Sequence, residues 1–498
     1  MLNPIRHGDS GLGTFIVTIE KVWLRLYPLG KPRVHSPRRR VFQDESDKRY
    51  AKSTVPIPRR SAESKEGQVG LKMIRLEQIR RLSLLQPLTV RNFRFLFLGH
   101  CGSILGDQFY IIALPWLVYS LTGSSLMLGT VLLVAGAVRS TFLLMGGALS
   151  DRFSPRVLML TAYGIGALVT SLTALAVHLN LTERWHLFLL GGCFGLVEAT
   201  FYPAYQSVTP LIISRKRLVA GNSLLRSAVR LMGIIGPALA GIVIGKDGFT
   251  VAFAFDAASF VFAFMMIGMI RIAPHAETSE FGAMPASAAP RQPLLRSIGE
   301  GFRYARRHRA LRSLFAYMIG FEFAAAGASY VGMPAFARLH FGEEAGARAL
   351  GAMASSLAAG LLIGMVLAGS MKAFKREDRV TTLMTVLMAC SLTSLAVAST
   401  LVPACISLFA FGVAGGAVSI IIQARMQMSS DKRMLGRVMS ILMLGSSLAE
   451  MAGFALAGML ADMNLRLVFL GSGVVMAITL LAWVSTRRRA PEEVNAEA

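Results

Sequence analysis

The chain has 498 residues, of which 54% are hydrophobic and only 16% are charged. A soluble domain carries about 25% charged residues, so this composition excludes a string of soluble domains and indicates that much of the chain is solvated by lipid. The four cysteines lie in apolar stretches without metal-ligand spacing, which argues against a disulfide scaffold or a metal site. The formal net charge of +24 would favour nucleic acid as the partner of a soluble protein.

Residues 1–91 form a basic, proline-containing segment without an apolar run long enough to cross a bilayer. Its composition favours a mostly disordered cytoplasmic extension. A compact basic stretch that starts at Met73 runs directly into the first apolar segment. A second interpretation is therefore that translation starts at Met73 and that the residues before it are not made. The sequence leaves both interpretations open.

From residue 92 onward the hydropathy resolves into apolar segments of the length that crosses a bilayer as a helix. They are continuous, which excludes the alternating pattern of a β-barrel. We predict an all-α membrane protein with twelve transmembrane helices in two six-helix halves, 92–271 and 313–486. A cytoplasmic loop, 272–312, joins the halves, and a cytoplasmic tail, 487–498, follows them. The predicted spans are 95–121, 126–149, 157–179, 186–213, 218–245, 249–270, 313–337, 349–371, 380–402, 403–424, 435–460 and 465–486.

Basic residues alternate from loop to loop along these spans. The loops after even-numbered spans, the central loop and the tail carry most of the Lys and Arg, whereas the opposite loops carry isolated ones such as Arg184 and Lys246. The positive-inside rule places the basic side and both termini in the cytoplasm. Topology then accounts for the net charge, and no nucleic-acid partner is expected.

The two halves share an internal repeat. When the sequence is shifted by 217 residues, the segment that runs from Gly236 to Gly241 falls on the one that runs from Gly453 to Gly458. These segments lie in the fifth span of one half and the eleventh span of the chain. Two parallel six-helix repeats with a path between them are typical of a secondary transporter.

Three motifs resemble those of a known family, the major facilitator superfamily. The loop after the second span is similar to its G-x-x-x-D-R-x-G-R-R signature, with a Ser-Pro pair in place of Gly-Arg, and the fifth span is similar to its antiporter motif. The first span, at 106–124, resembles the macrolide-efflux and enterobactin-exporter branch. The residues that carry the first two motifs are Gly147, Asp151, Arg152, Arg156, Gly233, Gly236, Pro237 and Gly241.

The resemblance implies a role for each motif. Asp151 would pair on the cytoplasmic face with a helix N-terminus or an arginine of the same half, and this contact would break when the transporter opens inward; the alternative is a solvated turn. Gly236 and Pro237 would bend the fifth span and seal it against leak. The alternative is that a helix rich in Gly and Pro simply packs closely against its neighbours.

Ionisable residues within the spans are the strongest functional signal, because a charge at mid-bilayer costs at least ~2.5–3.5 kcal/mol and needs a partner, a cavity or a role. Asp107, at mid-depth in the first span, is the first choice for the proton-coupling group; the alternative is an ion pair with Arg139 or Arg226. Asp256 is either a coupling group or a helix-packing hydrogen-bond partner. The full set of candidates is Asp107, Arg139, Glu198, Arg226, Arg230, Asp256, Glu322 and Glu450.

Arg226 and Arg230 are four residues apart and therefore share one face of the fifth span. Such a pair suits an anionic substrate or a carboxylate partner, although Arg226 is close enough to the cytoplasm to extend toward it. Glu322 and Glu450 are candidate carboxylates of the second half, and Glu322 has an interfacial position as its alternative.

We predict a proton-coupled exporter of the bacterial inner membrane that moves a hydrophobic or amphipathic compound, drug-like or macrolide-like, by alternating access. The alternatives are a siderophore exporter, a lysophospholipid flippase or a non-transporting sensor or scaffold. The sequence contains no Walker A or hydrolase motif, so we expect no enzyme activity, cofactor or metal. The expected partners are the substrate, protons and the bilayer, and the expected state is a monomer.

Overall fold

The computed structural model describes residues 85–150, 153–271, 294–370, 377–431 and 434–488. The described ranges consist of helices joined by short turns and contain no strand. The predicted extension up to residue 84, the gating residues Asp151 and Arg152, and the tail after residue 488 lie outside them. Most of the predicted central loop, 272–293, also lies outside them.

The N-terminal half contains six helices that agree with the predicted spans. Gly248 joins the last two of them with a φ of 78°, a backbone conformation that favours glycine because it has no Cβ. The bounds of spans 1 to 6 are Arg91–Thr122, Ser125–Ser150, Pro155–His178, Arg184–Ile212, Arg215–Lys246 and Gly248–Gly268.

The C-terminal half repeats this arrangement, and Gly342, with a φ of 72°, joins spans 7 and 8 as Gly123, with a φ of 67°, joins spans 1 and 2. Eleven of the described helices are individually long and apolar enough to cross a membrane. Span 9 is the exception, since it has 19 residues and begins with Glu377-Asp378-Arg379. The bounds of spans 7 to 12 are Arg309–Glu343, Ala345–Ser370, Glu377–Leu395, Leu401–Met428, Leu435–Met463 and Leu465–Arg488.

The largest difference from the predicted span bounds lies at the end of span 9. Span 9 ends at Leu395 and span 10 begins at Leu401, whereas the sequence placed their boundary at Pro403. Pro403 lies in the first turn of span 10, where a missing N–H costs nothing because it would have no intrahelical partner. Proline therefore marks a position inside the next helix and not the boundary itself.

The predicted central loop contains a linker helix, Leu294–Arg307, and span 7 begins directly after it at Arg309. The linker helix is attached to the C-terminal half. Arg437 of span 11 donates to Glu300 at 2.6 Å, and the backbone N–H of Asp431 donates to the Tyr304 hydroxyl at 3.3 Å. The linker helix is thus a surface helix. Its sequence is polar because only one of its faces packs against the protein.

The helix bundle has two ends. We call the end that carries Ser154, Ser214 and the linker helix the basic end, and the end at which spans 1 and 2 are joined the opposite end. The halves meet along two seams, span 2 against span 11 and span 5 against span 8. Small residues bring the backbones together there: Gly129 lies against Gly458, and Gly241 lies against Gly351.

The hydrogen bonds and ion pairs described between the halves lie from the opposite end to mid-depth. They involve Ser124, Trp116 and Arg139 of the N-terminal half. Toward the basic end, an added Cβ at Gly233 of span 5 would meet nothing within 4 Å. The described contacts therefore close the path at the opposite end and leave a cleft toward the basic end.

Candidate substrate and proton site

Arg139 lies at mid-depth in span 2 and connects two glutamates. One guanidinium nitrogen is 3.3 Å from Glu198 Oε2 of span 4, and the other donates to Glu450 Oε2 of span 11. The planar fork of an arginine suits contact with two carboxylates. The structure thus joins three of the predicted charges into one clasp, which crosses between the halves.

Glu322 of span 7 is the fourth member of this group. The charged groups that act on it are Glu450 and Arg139, so it faces the same region from the C-terminal half. Span 7 contains a π-helical turn, Gly327–Gly332, just beyond Glu322. Such turns often occur at functional sites. Glu322 is only partly buried, which leaves its carboxyl beside the clasp and accessible from the cleft.

Asp256 of span 6 is fully buried, and neither of its carboxyl oxygens has a hydrogen-bond partner. It packs against span 1 at Gly106, where an added Cβ would lie 2.7 Å from Asp256 Oδ1. Ser259 is a polar neighbour of this carboxyl, so the interpretation of Asp256 as a helix-packing hydrogen-bond partner stays open beside that of a coupling group. A buried carboxyl without a partner needs a bound proton or a counterion.

Asp107 lies next to this buried carboxyl and carries no described ion pair. Asp256 and Glu198 are its acidic neighbours. The proposed partner Arg139 binds Glu198 and Glu450 instead. No ion pair is described for Asp107, and the charged groups that act on it are the carboxylates of Glu198 and Asp256.

Arg226 and Arg230 lie on the face of span 5 that also carries Pro237 and Gly241, since these residues recur at helical spacing. Further along the helix that face contacts span 8. Near the basic end the same face therefore points into the cleft. Both arginines are exposed, and the described ion pairs include none with either of them.

Aromatic residues of spans 1 and 4 lie beside the arginines. The rings of His100 and Tyr205 stack at a centroid distance of 4.1 Å, and Phe201 stacks on Tyr205 at 5.5 Å. Arg226 acts electrostatically on Tyr205. Tyr205 thus connects the exposed arginines of span 5 to an aromatic stack whose member His100 is buried.

The part of the gating motif that the structure describes shows local helix capping. Ser154 accepts a hydrogen bond from the Val157 N–H and caps span 3, with Pro155 in the first turn. Arg156 donates to the carbonyl of Gly268 at 2.6 Å at the end of span 6. The Ser-Pro departure from the family signature is therefore a helix start. Gly147 lies on span 2.

Three of the four antiporter-like residues pack closely. An added Cβ at Gly236 would overlap Gln108 of span 1, and one at Gly241 would lie 3.2 Å from the Gly351 Cα of span 8. The Pro237 carbonyl also lies against Gly351. Gly233 has no such neighbour and faces the cleft. The motif therefore packs span 5 closely against span 1 of its own half and against span 8 of the other half.

Asp462, near the end of span 11, is a residue that sequence analysis missed. Its carboxylate accepts from the backbone N–H of Ser125 at 2.6 Å, from that of Leu126 at 3.1 Å and from the Ser124 hydroxyl at 2.7 Å. It therefore caps the N-terminus of span 2 from the other half. The signal was available, because an acid at the end of span 11 and the Ser-Ser start of span 2 belong to the same side of the membrane.

A second contact closes the same end. The Trp116 indole N–H donates to the Glu343 carbonyl at 3.2 Å, and the Arg338 guanidinium lies 5.4 Å from the centre of the Tyr119 ring. These contacts join span 1 to span 7. Spans 1, 2, 7 and 11 thus hold the two halves together at the opposite end.

We expect Asp462→Ala to shift the transporter toward the state that is open at the opposite end. Loss of a helix cap costs about 0.5–2 kcal/mol, and a change of about 1–2 kcal/mol alters an equilibrium about 5–30-fold. Distances between spin labels at Leu181 and Val397, exposed residues on the two halves at this end, would report the shift as a longer separation.

Asn464→Ala is the matched control for this prediction. The Asn464 side chain accepts from the Arg466 N–H at 3.0 Å and caps span 12 within its own half. Its removal should weaken one helix start without changing the distance between the halves. An equal response of the two variants would mean that Asp462 acts only on local helix stability.

Comparisons with known proteins agree with this architecture. The profile of the transmembrane secretion effector family matches residues 82–498. The enterobactin exporter EntS of Escherichia coli O1:K1 is 26% identical over 428 residues, which cover 83% of this chain and 97% of that protein. EntS of Shigella boydii serotype 18 gives the same identity and coverage.

Solved structures share the fold at lower sequence identity. The nucleoside transporter NupG has a TM-score of 0.61 at 13% identity, and the match covers 79% of this chain and 98% of NupG. A bacterial homologue of the iron transporter ferroportin in an inward-facing state has a TM-score of 0.58 at 13% identity, with coverages of 80% and 98%. These similarities confirm the predicted twelve-helix fold.

The relatives and structural neighbours are transporters and not enzymes, as predicted. The family match covers both six-helix halves and the charged group between them. This chain is a multi-pass membrane protein that belongs to the transmembrane secretion effector family of major facilitator superfamily transporters.

Proposed function

We propose that the protein exports an anionic, siderophore-class small molecule from the cytoplasm. The observation that carries this proposal is the similarity to enterobactin exporters, which extends over 97% of their length. The drug-like or macrolide-like substrate that we predicted first has no comparable support. Export from the cytoplasm assigns the basic end to the cytoplasmic side, in accord with the positive-inside rule.

The cleft supports an anionic cargo with aromatic character. Arg226 and Arg230 present two guanidinium groups, which bind anionic oxygens through charge-assisted hydrogen bonds. Phe201 and Tyr205 are only partly buried and offer ring surfaces to a flat cargo, whereas His100, stacked on both, is buried. The cargo would enter from the basic end, where the cleft lies open between spans 5 and 8.

Proton exchange would drive export through the carboxylates beside the cleft. In the state described here, Asp107 and Asp256 share a crowded acidic site, and Arg139 holds Glu198 and Glu450. A proton that enters from the opposite end would neutralise one of these carboxylates. The remaining charges would then favour a different arrangement of the two halves. The halves would then exchange their contacts at the opposite end for contacts at the basic end.

The experiment that tests the proposed function is export by the purified protein in liposomes with an imposed pH gradient. Enterobactin, a macrolide and a lysophospholipid would be offered separately. We expect export of enterobactin and little transport of the other two. Export of the macrolide alone would restore the drug-efflux hypothesis, and movement of the lysophospholipid alone would indicate a flippase.

We expect the double variant Arg226→Gln/Arg230→Gln to raise the KM for enterobactin about tenfold or more. Each hydrogen bond to a charged group contributes about 1.5–3 kcal/mol, and water in the cleft weakens part of this effect. The matched control is Arg226→Lys/Arg230→Lys, which keeps both charges and should retain most of the affinity. Equal KM values in the Gln and Lys variants would contradict a role of these charges in cargo binding.

A further inference from the structure

A cavity of about 530 Å³ lies between spans 7 and 12 at the basic end, and the transport cleft does not include it. We call it the 7–12 groove. Span 7 contributes two arginines and a serine, and span 12 contributes hydroxyls and a tryptophan. The residues that matter to its chemistry are Arg309, Arg312, Ser313, Tyr317, Trp483 and Thr486.

The 7–12 groove lies where both helices end. Arg309 and Arg312 are in the first turn of span 7, and Thr486 is in the last turn of span 12, which ends at Arg488. In a membrane-spanning helix these positions are at the boundary between the hydrocarbon core and water. The groove therefore lies at the depth of the lipid headgroups.

The 7–12 groove has polar groups at its rim and aromatic rings deeper inside, an arrangement that suits an amphipathic molecule. Arg312 is exposed at the rim, and the hydroxyls of Ser313 and Thr486 are 2.9 Å apart. Deeper in, the rings of Tyr317 and Trp483 are buried and meet edge to face at 5.4 Å. The described residues that line the groove include no acid.

The corresponding corner of the N-terminal half carries a similar pair of arginines. Span 1 begins with Arg91 and Arg94, which have the same spacing as Arg309 and Arg312. There the Asn92 amide donates to the Arg271 carbonyl at 2.8 Å, and Arg156 binds the end of span 6.

We propose that the 7–12 groove binds the phosphate headgroup of an anionic phospholipid from the leaflet at the basic end. Arg309 and Arg312 would bind the phosphate oxygens, and the Ser313 hydroxyl would donate to them on turning away from Thr486, whose own hydroxyl donates to the Trp483 carbonyl. Basic pockets between transmembrane helices on the cytoplasmic side are suited to such headgroups. The acyl chains would continue along the lipid-facing surfaces of the two helices.

The groove is a lipid site rather than a cargo site, because both its walls belong to the C-terminal half. Transport of a cargo requires groups that face the cleft between the halves. The lipid proposal therefore does not rest on the nature of the exported molecule. It predicts that occupancy stabilises the packing of span 7 against span 12.

Native mass spectrometry of the purified full chain would measure binding of phosphatidylglycerol and of phosphatidylethanolamine. We expect phosphatidylglycerol to be retained preferentially. Arg309→Gln/Arg312→Gln should weaken that binding about 30-fold, because each arginine near the membrane surface contributes about 1 kcal/mol to the binding of an anionic lipid. The matched control, Arg91→Gln/Arg94→Gln, should bind phosphatidylglycerol like the unmodified chain. Thermal unfolding in detergent without lipid would show whether both variants are folded.

Three results would overturn the proposal. Equal loss of phosphatidylglycerol in both double variants would indicate a general surface charge effect. Equal retention of the two lipids by the unmodified chain would exclude headgroup charge as the basis of recognition. Displacement of the lipid by glycerol 3-phosphate at equal concentration would indicate a site for a soluble phosphate compound instead.

Discussion

Asp107→Asn should abolish uphill export while leaving the exchange of cargo down its own gradient. Asparagine keeps the size and the hydrogen-bonding capacity of the side chain but cannot take up and release a proton. A pH difference of one unit corresponds to about 1.36 kcal/mol, which can hold about a tenfold cargo ratio in a one-for-one exchange. In liposomes under this gradient we expect a tenfold ratio for the unmodified chain and a ratio near one for the variant.

The structure supplies the reason for choosing Asp107. Its acidic neighbours are Asp256 and Glu198, and no described arginine pairs with it. Negative charge in such a group is relieved by a bound proton. An Asp107→Asn protein that still accumulates cargo under the pH gradient would eliminate it as the coupling residue and direct attention to Glu322 or Glu450.

Asp256→Asn distinguishes a role of Asp256 in proton coupling from a role in the packing of span 6 against span 1. Asp256 is fully buried against Gly106, so an amide there removes an unpaired carboxyl and should not weaken folding. If Asp256 shares the coupled proton with Asp107, the Asp256→Asn protein should also lose uphill export. If only Asp107 titrates during transport, Asp256→Asn should accumulate cargo like the unmodified chain.

Hydropathy and loop charge were sufficient to predict the twelve spans, because each span must satisfy its backbone within itself and must be long enough to cross lipid. The exception is instructive. Span 9 begins with Glu377-Asp378-Arg379, and Arg425 of span 10 binds Glu377 and Asp378. These charges lower the mean hydropathy of span 9, but their pairing with Arg425 within the same half stabilises them in the folded helix.

The pairing of the intramembrane charges could not be predicted in the same way. The sequence identified Arg139, Glu198 and Glu450 as separate candidates, but their contact depends on how span 2 is rotated and on which half it faces. A period of 3.6 residues places a residue on one face of a helix, and only tertiary packing decides the neighbour of that face. Asp462 was missed for a different reason: the predicted span 11 ended at residue 460, whereas the helix continues to Met463.

Arg139→Gln is expected to have the second large effect, because it leaves two glutamates beside each other without their common cation. The side chains of Arg139, Glu450 and Glu198 are 30%, 19% and 60% exposed, so water offsets part of the loss, most of all at Glu198. We expect the free energy of unfolding to fall by about 1–3 kcal/mol and proton-driven export to fall strongly. Thermal unfolding of the purified protein and transport in liposomes measure these two effects.

The clasp also joins the halves, so its loss should change which end of the path is open. Glu450→Gln added to Arg139→Gln removes one of the two orphaned charges and should restore most of the stability. It should not restore the contact between spans 2 and 11, so export should stay low. Arg139→Lys keeps the charge but lacks the planar fork that reaches both carboxylates, and intermediate values are expected for it. Unchanged unfolding and export in Arg139→Gln would show that the ion pairs of Arg139 with Glu198 and Glu450 contribute neither to folding nor to the transport cycle.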